Sequence, residues 1–224
     1  IRSVISKVVC LVASTSPVKV SVTTQQLFID SEVGELQAEL VTTQGNSTIA
    51  VLCHPHPLYG GSMHDAVLSV AAECAAHAGL SSLRFNFRGV GASAGQHQPA
   101  PSAPNEIADL LAVINWVKNE SEHKSIVAIG YSFGACVVSH LMDHGHIKRS
   151  ILIAPPNAVM NCRMESNSQP YDVIYGGQDD YVDPGAYQQL ADARLHELPD
   201  TDHFFSGAQT DLARTLSALL QALN

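Results

Sequence analysis

A serine flanked by glycines carries the strongest chemical signal in the sequence. Residues 130–134 read Gly-Tyr-Ser-Phe-Gly, after a short apolar run and before a segment with helical periodicity, so Ser132 falls on a turn from strand to helix. Glycine at the flanking positions avoids the contacts that a β-carbon would make with neighbouring backbone at so sharp a turn. Serine in G-x-S-x-G at this junction is typical of a nucleophile held at the end of a strand. Ser132 is therefore the predicted nucleophile.

His203 is the predicted base for this serine. A serine hydroxyl reacts only when a neighbouring group accepts its proton, and histidine does so near neutral pH. Among the eleven histidines, His203 lies in a loop after the last predicted strand and before the last predicted helix. Since loops that follow parallel strands meet at one edge of a sheet, the loop of His203 and the turn of Ser132 are expected at the same edge.

Three aspartates follow the preceding predicted strand, at positions 179, 180 and 183. A carboxylate is required to hold the imidazole tautomer and to stabilise the imidazolium that forms. With Asp179, the chain order becomes serine, aspartate, histidine, which is the order found with a nucleophile on a strand-to-helix turn. Asp180 is the alternative, and Asp183, which precedes Pro184, is more typical of a helix cap.

Two backbone amides are needed to stabilise the oxyanion of a tetrahedral intermediate. One is expected from the residue after the nucleophile, Phe133. The other is expected from the loop at residues 53–63, which follows the third predicted strand and is rich in proline and glycine. Because its prolines have no N–H, the donor in this loop has to be His56 or Leu58.

A zinc site is the weaker interpretation of the histidines in and after this loop. His54, His56 and His64 include an H-x-H pair, but only Asp65 is available to complete a ligand set. The prolines already account for the loop, and His54 is expected to brace it through hydrogen bonds. No metal is therefore predicted.

A glycine-rich segment at residues 89–95 imitates a dinucleotide-binding fingerprint, with Asp109 twenty positions after its first glycine. Its spacing is G-x-G-x-x-x-G, and the prolines that follow keep a helix from starting directly on the glycines, as pyrophosphate binding requires. A tight loop that shapes the pocket is the better interpretation, and no cofactor is predicted. Arg88, just before this segment, is expected to pair with an acidic neighbour rather than with a substrate carboxylate.

The overall composition is that of a globular domain with a large apolar core. Of the 224 residues, 46% are hydrophobic and 15% are charged, which excludes wholesale disorder. The net charge of −9 disfavours binding to nucleic acid or to an anionic membrane surface, and no apolar run approaches the roughly 20 residues of a membrane helix. The five cysteines include no C-x-x-C pair, so neither a disulfide framework nor a cysteine zinc site is expected.

Apolar runs of strand length alternate with segments of helical periodicity, which predicts an α/β fold with a mostly parallel sheet and helices on both faces. The predicted strands are residues 25–30, 36–42, 48–53, 81–87, 125–130, 150–154, 171–175 and 194–198. The predicted helices are residues 64–78, 105–119, 133–144, 184–193 and 210–223. The first two strands alternate in polarity, so they are expected to be antiparallel at an edge of the sheet.

Residues 1–24 are expected to form an N-terminal arm or an edge strand, ahead of a single domain at residues 25–224. Arg2 and Lys7 precede an apolar segment that is too short for a typical signal peptide. A cytoplasmic location is therefore expected.

With these motifs in order, the chain resembles the α/β-hydrolase superfamily, and within it the small lidless bacterial hydrolases close to dienelactone hydrolase. The resemblance rests on a histidine-proline loop followed by Gly-Gly-Ser-Met at residues 60–63, on Asn-Phe-Arg-Gly-x-Gly-x-Ser-x-Gly at residues 86–95, and on Gly-x-x-Asp at residues 176–179. It covers residues 27–223 and implies an α/β-hydrolase fold with a minimal cap or none.

The same resemblance implies a catalytic triad of Ser132, Asp179 and His203, and it makes the His56 amide the second oxyanion donor. Dienelactone hydrolase itself uses a cysteine nucleophile, whereas this chain has serine, so its lactone chemistry is not expected here.

The expected activity is hydrolysis of small carboxylic esters through an acyl-enzyme. Only residues 155–170 separate two predicted strands where a cap domain would be inserted, so the site is expected to be open and to favour short substrates. Tyr59, Tyr181 and Phe204 are candidate pocket residues. The expected partner is a small ester, with no nucleic acid or membrane, and a homodimer is left open. The alternatives are a catalytically inactive scaffold that binds a partner through the same cleft, and a peptidase or thioesterase of the same fold.

Overall fold

The computed structural model describes residues 22–44, 46–100 and 102–223. Its strands are β1 (Val22–Ser31), β2 (Gly34–Thr43), β3 (Thr48–Cys53), β4 (Ser81–Phe85), β5 (Ser125–Tyr131), β6 (Ile147–Ile153), β7 (Tyr171–Gly176) and β8 (Ala193–Leu198). Its α-helices are α1 (Ala66–His77), α2 (Pro104–Glu120), α3 (Phe133–Ser139), α4 (Gly185–Gln188) and α5 (Gln209–Gln221), and a 3-10 turn covers Pro57–Tyr59. Within the described residues, no helix combines the length and the apolar character that crossing a membrane requires.

The eight strands form one sheet in the order β1-β2-β4-β3-β5-β6-β7-β8. Every residue of β7 and residues 49–53 of β3 are buried. Since successive residues of a strand point to opposite faces, this burial requires helices on both sides of the sheet. The helix α1 packs against α5, and α2 packs against α3. The predicted fold class is confirmed.

The edge of the sheet is the predicted antiparallel hairpin of β1 and β2. Ser31 pairs with Gly34, so the turn consists of residues 32 and 33. Gly34 has a φ of 111°, which residues with a side chain rarely adopt. The strand β1 begins at Val22, ahead of the predicted start at residue 25, and residues 1–21 of the predicted N-terminal arm lie outside the described residues.

The prediction of a helix over residues 133–144 is wrong in its extent, because α3 ends at Ser139. Ser139 Oγ donates to the carbonyl of Cys136 and accepts the N–H of Arg163, and the chain continues in turns closed by bonds such as Leu141 N–H to the Val138 carbonyl. The apolar periodicity continues through these turns, so periodicity alone does not mark the end of the helix.

The prediction of a helix over residues 184–193 is also too long, because α4 covers only Gly185–Gln188. Beyond it, the N–H of Leu190 donates to the carbonyl of Tyr187, and a second turn of the same kind leads into β8. The segment buries Tyr187 without completing further helical turns.

The connection between β6 and β7, residues 154–170, contains neither helix nor strand. A cap domain is usually inserted as an additional helical layer, and this segment provides none. The minimal cap predicted from the length of the segment is confirmed.

Candidate active site

Ser132 lies on a strained turn between β5 and α3. Its backbone has φ 52° and ψ −118°, a combination that non-glycine residues rarely adopt. Its N–H donates to the carbonyl of Ile153 at 2.8 Å, which fixes the turn against β6. A β-carbon at Gly130 would lie 2.3 Å from the carbonyl oxygen of Gly134, and one at Gly134 would lie 2.1 Å from that of Cys53. Both flanking positions therefore exclude a side chain, and the packed backbone around Ser132 maintains the strained turn.

The side chains of Ser132, His203 and Asp179 form a continuous hydrogen-bonded chain. Ser132 Oγ lies 2.9 Å from His203 Nε2, and His203 Nδ1 lies 2.8 Å from Asp179 Oδ2. The Asp179 side chain is 0% exposed and His203 is 8% exposed, so water hardly competes for these contacts. Because the carboxylate accepts the Nδ1–H of His203, the Nε2 lone pair is directed at the serine hydroxyl.

Of the three clustered aspartates, Asp179 is the one that reaches His203. Its second oxygen, Oδ1, accepts the N–H of Tyr181 at 2.9 Å, which fixes the orientation of the carboxylate. Asp180 is exposed. Asp183 is exposed as well, and its Oδ1 accepts the N–H of Gly185 at 2.9 Å, at the start of α4. Asp183 was predicted to be the helix cap, and it bonds to the first residue of α4, although the N-cap position itself is Pro184.

His203 is held by three aromatic residues. The hydroxyl of Tyr131 donates to the His203 carbonyl at 3.0 Å. The ring centroid of Tyr181 lies 4.8 Å from that of the imidazole, and the Phe204 ring stands perpendicular to it at 5.4 Å. Tyr131 has no sequence signal other than its place inside the G-x-S-x-G motif, and sequence reasoning missed it.

The two amides predicted to bind an oxyanion donate no hydrogen bond to the described part of the protein. The N–H groups of Phe133 and His56 have no hydrogen-bond acceptor among the described residues. Leu58, the other candidate in the loop, donates its N–H to His56 Nδ1 at 3.2 Å. The carbonyl of His56 accepts the N–H groups of Tyr59 and Gly61, at 3.0 and 3.1 Å, which fixes the loop backbone. The rings of His56 and Phe133 are in contact, with centroids 4.8 Å apart, so the two segments lie side by side.

His54 braces this loop as a buried imidazole. Its Nδ1 lies 2.7 Å from the carbonyl oxygen of Pro55, and its Nε2 accepts the N–H of Phe87 at 3.0 Å. Phe87 lies beyond the end of β4, although the apolar run predicted a strand to this residue, because its N–H bonds to His54 instead of to a neighbouring strand. Both ring nitrogens are occupied by protein groups, so His54 is not available as a metal ligand. In the part of the chain that the structure describes, no group of three His, Cys, Asp or Glu side chains is placed to hold a metal ion.

The burial of His54 predicts a fold that is sensitive to acid. Burial lowers the pKa of His54 to about 4, from an ordinary value of 6.5. Between these two values the unfolded chain binds a proton that the folded chain does not, so the free energy of unfolding falls as the pH falls through this window. Between about pH 7.5 and about pH 5.5, the loss from this one group is expected to be on the order of 1 kcal/mol.

Urea unfolding at these two pH values measures the loss. His54→Gln is the comparison, because its neutral amide has no proton to gain in the unfolded state. If the variant loses as much free energy as the native protein on acidification, His54 is not the origin of the acid sensitivity.

Arg88 is held in a buried ion pair. Its guanidinium lies 2.7 Å from Asp109 Oδ1 and 3.1 Å from Glu32, and its backbone N–H donates to Asp109 Oδ2 at 2.9 Å. The Asp109 side chain is 0% exposed. The predicted pairing of Arg88 with an acidic neighbour is confirmed, and Asp109 is occupied by this pair instead of being placed for a ribose.

A cavity of about 850 Å³ opens at Ser132 and His203. The three predicted pocket residues, Tyr59, Tyr181 and Phe204, all lie in its wall and are 89%, 45% and 65% exposed. Large aromatic side chains that remain this exposed offer apolar surface to a ligand. Part of the wall was not predicted, because it comes from the irregular connection between β6 and β7: Pro156, Val159 and Met160.

Asp65 is a further wall residue whose place in the cavity was not predicted from sequence. Its Oδ1 accepts the N–H groups of Val67 and Leu68, at 2.8 and 3.4 Å, and so caps α1. Among the described residues that line the cavity, Asp65 has the only carboxylate, and none has an ammonium or guanidinium group. From sequence, Asp65 was considered only as a zinc ligand, and neither its capping role nor its place in the cavity was predicted.

The comparisons with known proteins agree with this fold. Residues 49–161, about half of the chain, match the hydrolase family described as serine aminopeptidase, S33. An α/β serine hydrolase homologue from Coxiella burnetii is 29% identical, with a TM-score of 0.80 over 87% of this chain and 96% of that one. An α/β serine hydrolase without a lid from Xanthomonas campestris is 31% identical, with a TM-score of 0.80 over 89% of this chain and 94% of that one.

A curated relative, an uncharacterized protein of Rickettsia prowazekii (RP471), is 33% identical over 134 residues. These residues are 58% of this chain and 55% of that protein, so the match spans about half the length of the relative. The resemblance to the α/β-hydrolase superfamily is confirmed, whereas the narrower link to dienelactone hydrolase stays a prediction. By the match over residues 49–161 and the likeness to lidless serine hydrolases, the chain belongs to the serine aminopeptidase (S33) family of α/β serine hydrolases.

Proposed function

We propose that this protein is a serine esterase that cleaves small carboxylic esters through an acyl-enzyme. The observation that carries the proposal is the hydrogen-bonded chain from Ser132 through His203 to Asp179, with contacts of 2.9 and 2.8 Å. Acyl transfer requires a nucleophile, a base and an orienting carboxylate. Here the nucleophile and the base line an open cavity, and the buried carboxylate bonds to the base from behind.

In the first half of the reaction, Ser132 Oγ attacks the acyl carbon while its proton passes to His203 Nε2. The carbon–oxygen bond to the alcohol then breaks, and the alcohol leaves with the proton from the imidazolium. Ser132 is left as an acyl ester.

In the second half, His203 takes a proton from water, and the resulting hydroxide attacks the acyl carbon. The bond to Ser132 Oγ breaks, the proton returns to the serine, and the carboxylic acid leaves. Asp179 holds the Nδ1–H tautomer and stabilises the imidazolium in both halves, and it stays ionised throughout.

The oxyanion that forms in each half is assigned to the N–H groups of Phe133 and His56. Support comes from their lack of an acceptor among the described residues and from the fixed backbone of the loop at His56. Losing one such donor costs roughly 3 kcal/mol of transition-state stabilisation in known hydrolases.

The cavity supports short, mainly apolar substrates. Tyr59 and the irregular connection between β6 and β7 border an opening that no cap formed by the described residues covers. Tyr181 and Phe204 lie beside the imidazole, where they can contact the acyl or the alcohol part of an ester.

Hydrolysis of p-nitrophenyl acetate and p-nitrophenyl butyrate tests the proposal. We expect steady turnover, preceded at high enzyme concentration by a burst of p-nitrophenol that matches the amount of enzyme, because the acyl-enzyme accumulates when its hydrolysis is slow. A fluorophosphonate probe should label the protein at one serine. Absence of both turnover and labelling would favour the inactive scaffold, and turnover of amino acid p-nitroanilides in preference to esters would favour a peptidase.

The charge of the cavity predicts discrimination against anionic esters. Asp65 lines the cavity without a cationic neighbour among the described wall residues. Burial together with the carboxylates of Asp65, Asp179 and Asp202 raises the pKa of Tyr131, which also lines the cavity. This negative potential would repel a carboxylate on the substrate, and the described wall residues offer no cation to pair with it. We expect the acetyl ester of methyl 4-acetoxybenzoate to be hydrolysed with a kcat/KM roughly 10-fold above that of 4-acetoxybenzoate, which has an ionised carboxylate in place of the methyl ester.

Asp65→Asn is the matched variant for this comparison, because asparagine also caps a helix. The variant should narrow the difference between the two esters and leave kcat for the neutral ester nearly unchanged. Equal kcat/KM values in the native protein would contradict the prediction.

A further inference from the structure

A buried histidine and a buried glutamate lie next to the loop at residues 53–63, which carries the proposed oxyanion donor His56 and is called the oxyanion loop below. The proposed mechanism does not use these two residues. His97 Nδ1 lies 2.7 Å from Glu106 Oε1, and the two side chains are 6% and 0% exposed. Glu106 is in the first turn of α2. His97 lies between β4 and α2, where residues 86–100 contain neither helix nor strand.

This pair is incompletely satisfied. His97 Nε2 and Glu106 Oε2 are buried and have no hydrogen-bond partner among the described residues. A second pair of a histidine with a buried carboxylate differs in this respect, because Asp172 bonds to His196 through Oδ1 and to Arg149 through Oδ2. Burying a polar atom without a hydrogen-bond partner costs roughly 1–3 kcal/mol of folding free energy. A gain in stability alone therefore does not explain why His97 and Glu106 are buried.

The His97 ring packs against both residues that carry the proposed oxyanion donors. Its centroid lies 5.0 Å from that of His56 and 5.8 Å from that of Phe133, with its plane close to perpendicular to both. The rings of His56 and Phe133 also touch each other. Each of the three rings therefore contacts the other two, and two of them belong to residues whose amides have no acceptor among the described residues.

The bond to Glu106 fixes the rotation of the His97 ring. An imidazole whose Nδ1–H donates to a carboxylate is held in one tautomer and one orientation. The electrostatic influence of His97 also reaches the loop, since burial and then the neighbouring His97 lower the pKa of His56, which favours the neutral ring whose Nδ1 accepts the N–H of Leu58.

We propose that His97 and Glu106 are positioning residues that set the spacing of the oxyanion-binding amides of His56 and Phe133. The inference rests on the proposed esterase function. Glu106 anchors the His97 ring to α2, and the ring keeps the loop of His56 against the start of α3. Catalysis by these amides depends on geometry, because a displacement of about 1 Å can cost up to roughly 100-fold in rate.

His97→Asn tests the inference, with His196→Asn as the matched control. Both variants remove an imidazole from a buried carboxylate, but only His97 contacts the rings of His56 and Phe133. Two quantities are measured: kcat and KM for p-nitrophenyl butyrate, and the Kd of phenylboronic acid, whose adduct with a serine hydroxyl is a tetrahedral anion that needs the same amides.

For His97→Asn we expect kcat to fall and the Kd of phenylboronic acid to rise, each by roughly 10- to 100-fold, with KM changed by less than about 3-fold. His196→Asn should leave all three values unchanged, even if it lowers the free energy of unfolding. Glu106→Gln, which keeps an oxygen acceptor for Nδ1–H, should retain most of the native kcat. His97→Phe conserves the size of the ring but cannot bond to Glu106, so it serves if His97→Asn does not fold, and its kcat should also fall.

The inference is overturned if the folded His97 variants match His196→Asn in kcat, or if their kcat falls while phenylboronic acid still binds with native affinity. If the native protein itself neither hydrolyses esters nor binds phenylboronic acid, the proposed function fails, and the inference fails with it. The native measurement therefore separates the two failures.

Discussion

Replacing Ser132 with alanine is expected to lower kcat for p-nitrophenyl butyrate by roughly 10⁵-fold and to abolish fluorophosphonate labelling. The hydroxyl lies 2.9 Å from His203 Nε2, and it is the only part of the side chain that the substitution removes. The β-carbon stays, so the strained turn at φ 52° remains supported by the same backbone contacts. The loss should therefore be one of chemistry, with little change in the urea unfolding curve.

Ser206→Ala is the control for this result. Ser206 is exposed in the loop of His203, and its N–H donates to Asp202 Oδ1 at 2.9 Å. Its replacement should leave turnover and labelling within about 2-fold of native values, as is usual for surface substitutions. Turnover that survives in Ser132→Ala would mean that another group is the nucleophile.

The second large effect is expected at Asp179. Asp179→Asn should lower kcat by roughly 10⁴-fold, as the same substitution does in trypsin-like proteases. The asparagine amide can donate to His203 Nδ1, which favours the tautomer that carries its proton on Nε2. That tautomer has no lone pair on Nε2, the nitrogen that faces Ser132, and so cannot accept the proton of the serine.

Asp180→Asn is the matched control for the acid, because it makes the same change one residue away on an exposed side chain. Its kcat should be native within about 2-fold. Steady-state kinetics with both variants, together with circular dichroism to confirm folding, decides between the two aspartates. A large loss in Asp180→Asn alone would reverse the assignment.

The sheet and the positions of the three side chains could be predicted from sequence for one physical reason. Strands buried on both faces appear as continuous apolar runs, and residues 49–53 and 126–130 are such runs. Polar residues that interrupt the pattern at the carboxyl ends of these strands are placed at one edge of the sheet. Ser132, Asp179 and His203 follow the ends of β5, β7 and β8 by one, three and five residues, and the structure brings them within hydrogen-bond distance.

Features that depend on tertiary contacts could not be predicted. The end of α3 is set where Ser139 bonds back to Cys136 and receives the N–H of Arg163, a residue far along the chain. No local pattern carries that information. The cavity position of Asp65 could not be predicted for a similar reason, because the other residues of the wall come from distant segments of the chain.

The contact between His97 and Glu106 illustrates the same limit. His97 lies in a segment rich in glutamine and proline, a composition typical of a loop, yet its side chain is 6% exposed. His97 is buried because α2 and the oxyanion loop pack against it. The periodicity of a single sequence does not reveal such contacts.

Because of the irregular connection at residues 154–170, the side chains of the proposed triad and one wall of the cavity come from different parts of the chain. The proposed reactivity depends on side chains that follow β5, β7 and β8, whereas Pro156, Val159 and Met160 supply one wall of the cavity from a stretch that contributes no strand to the sheet. Evolution or laboratory selection can therefore exchange this stretch to admit different acyl groups while the sheet and its reactive serine stay unaltered.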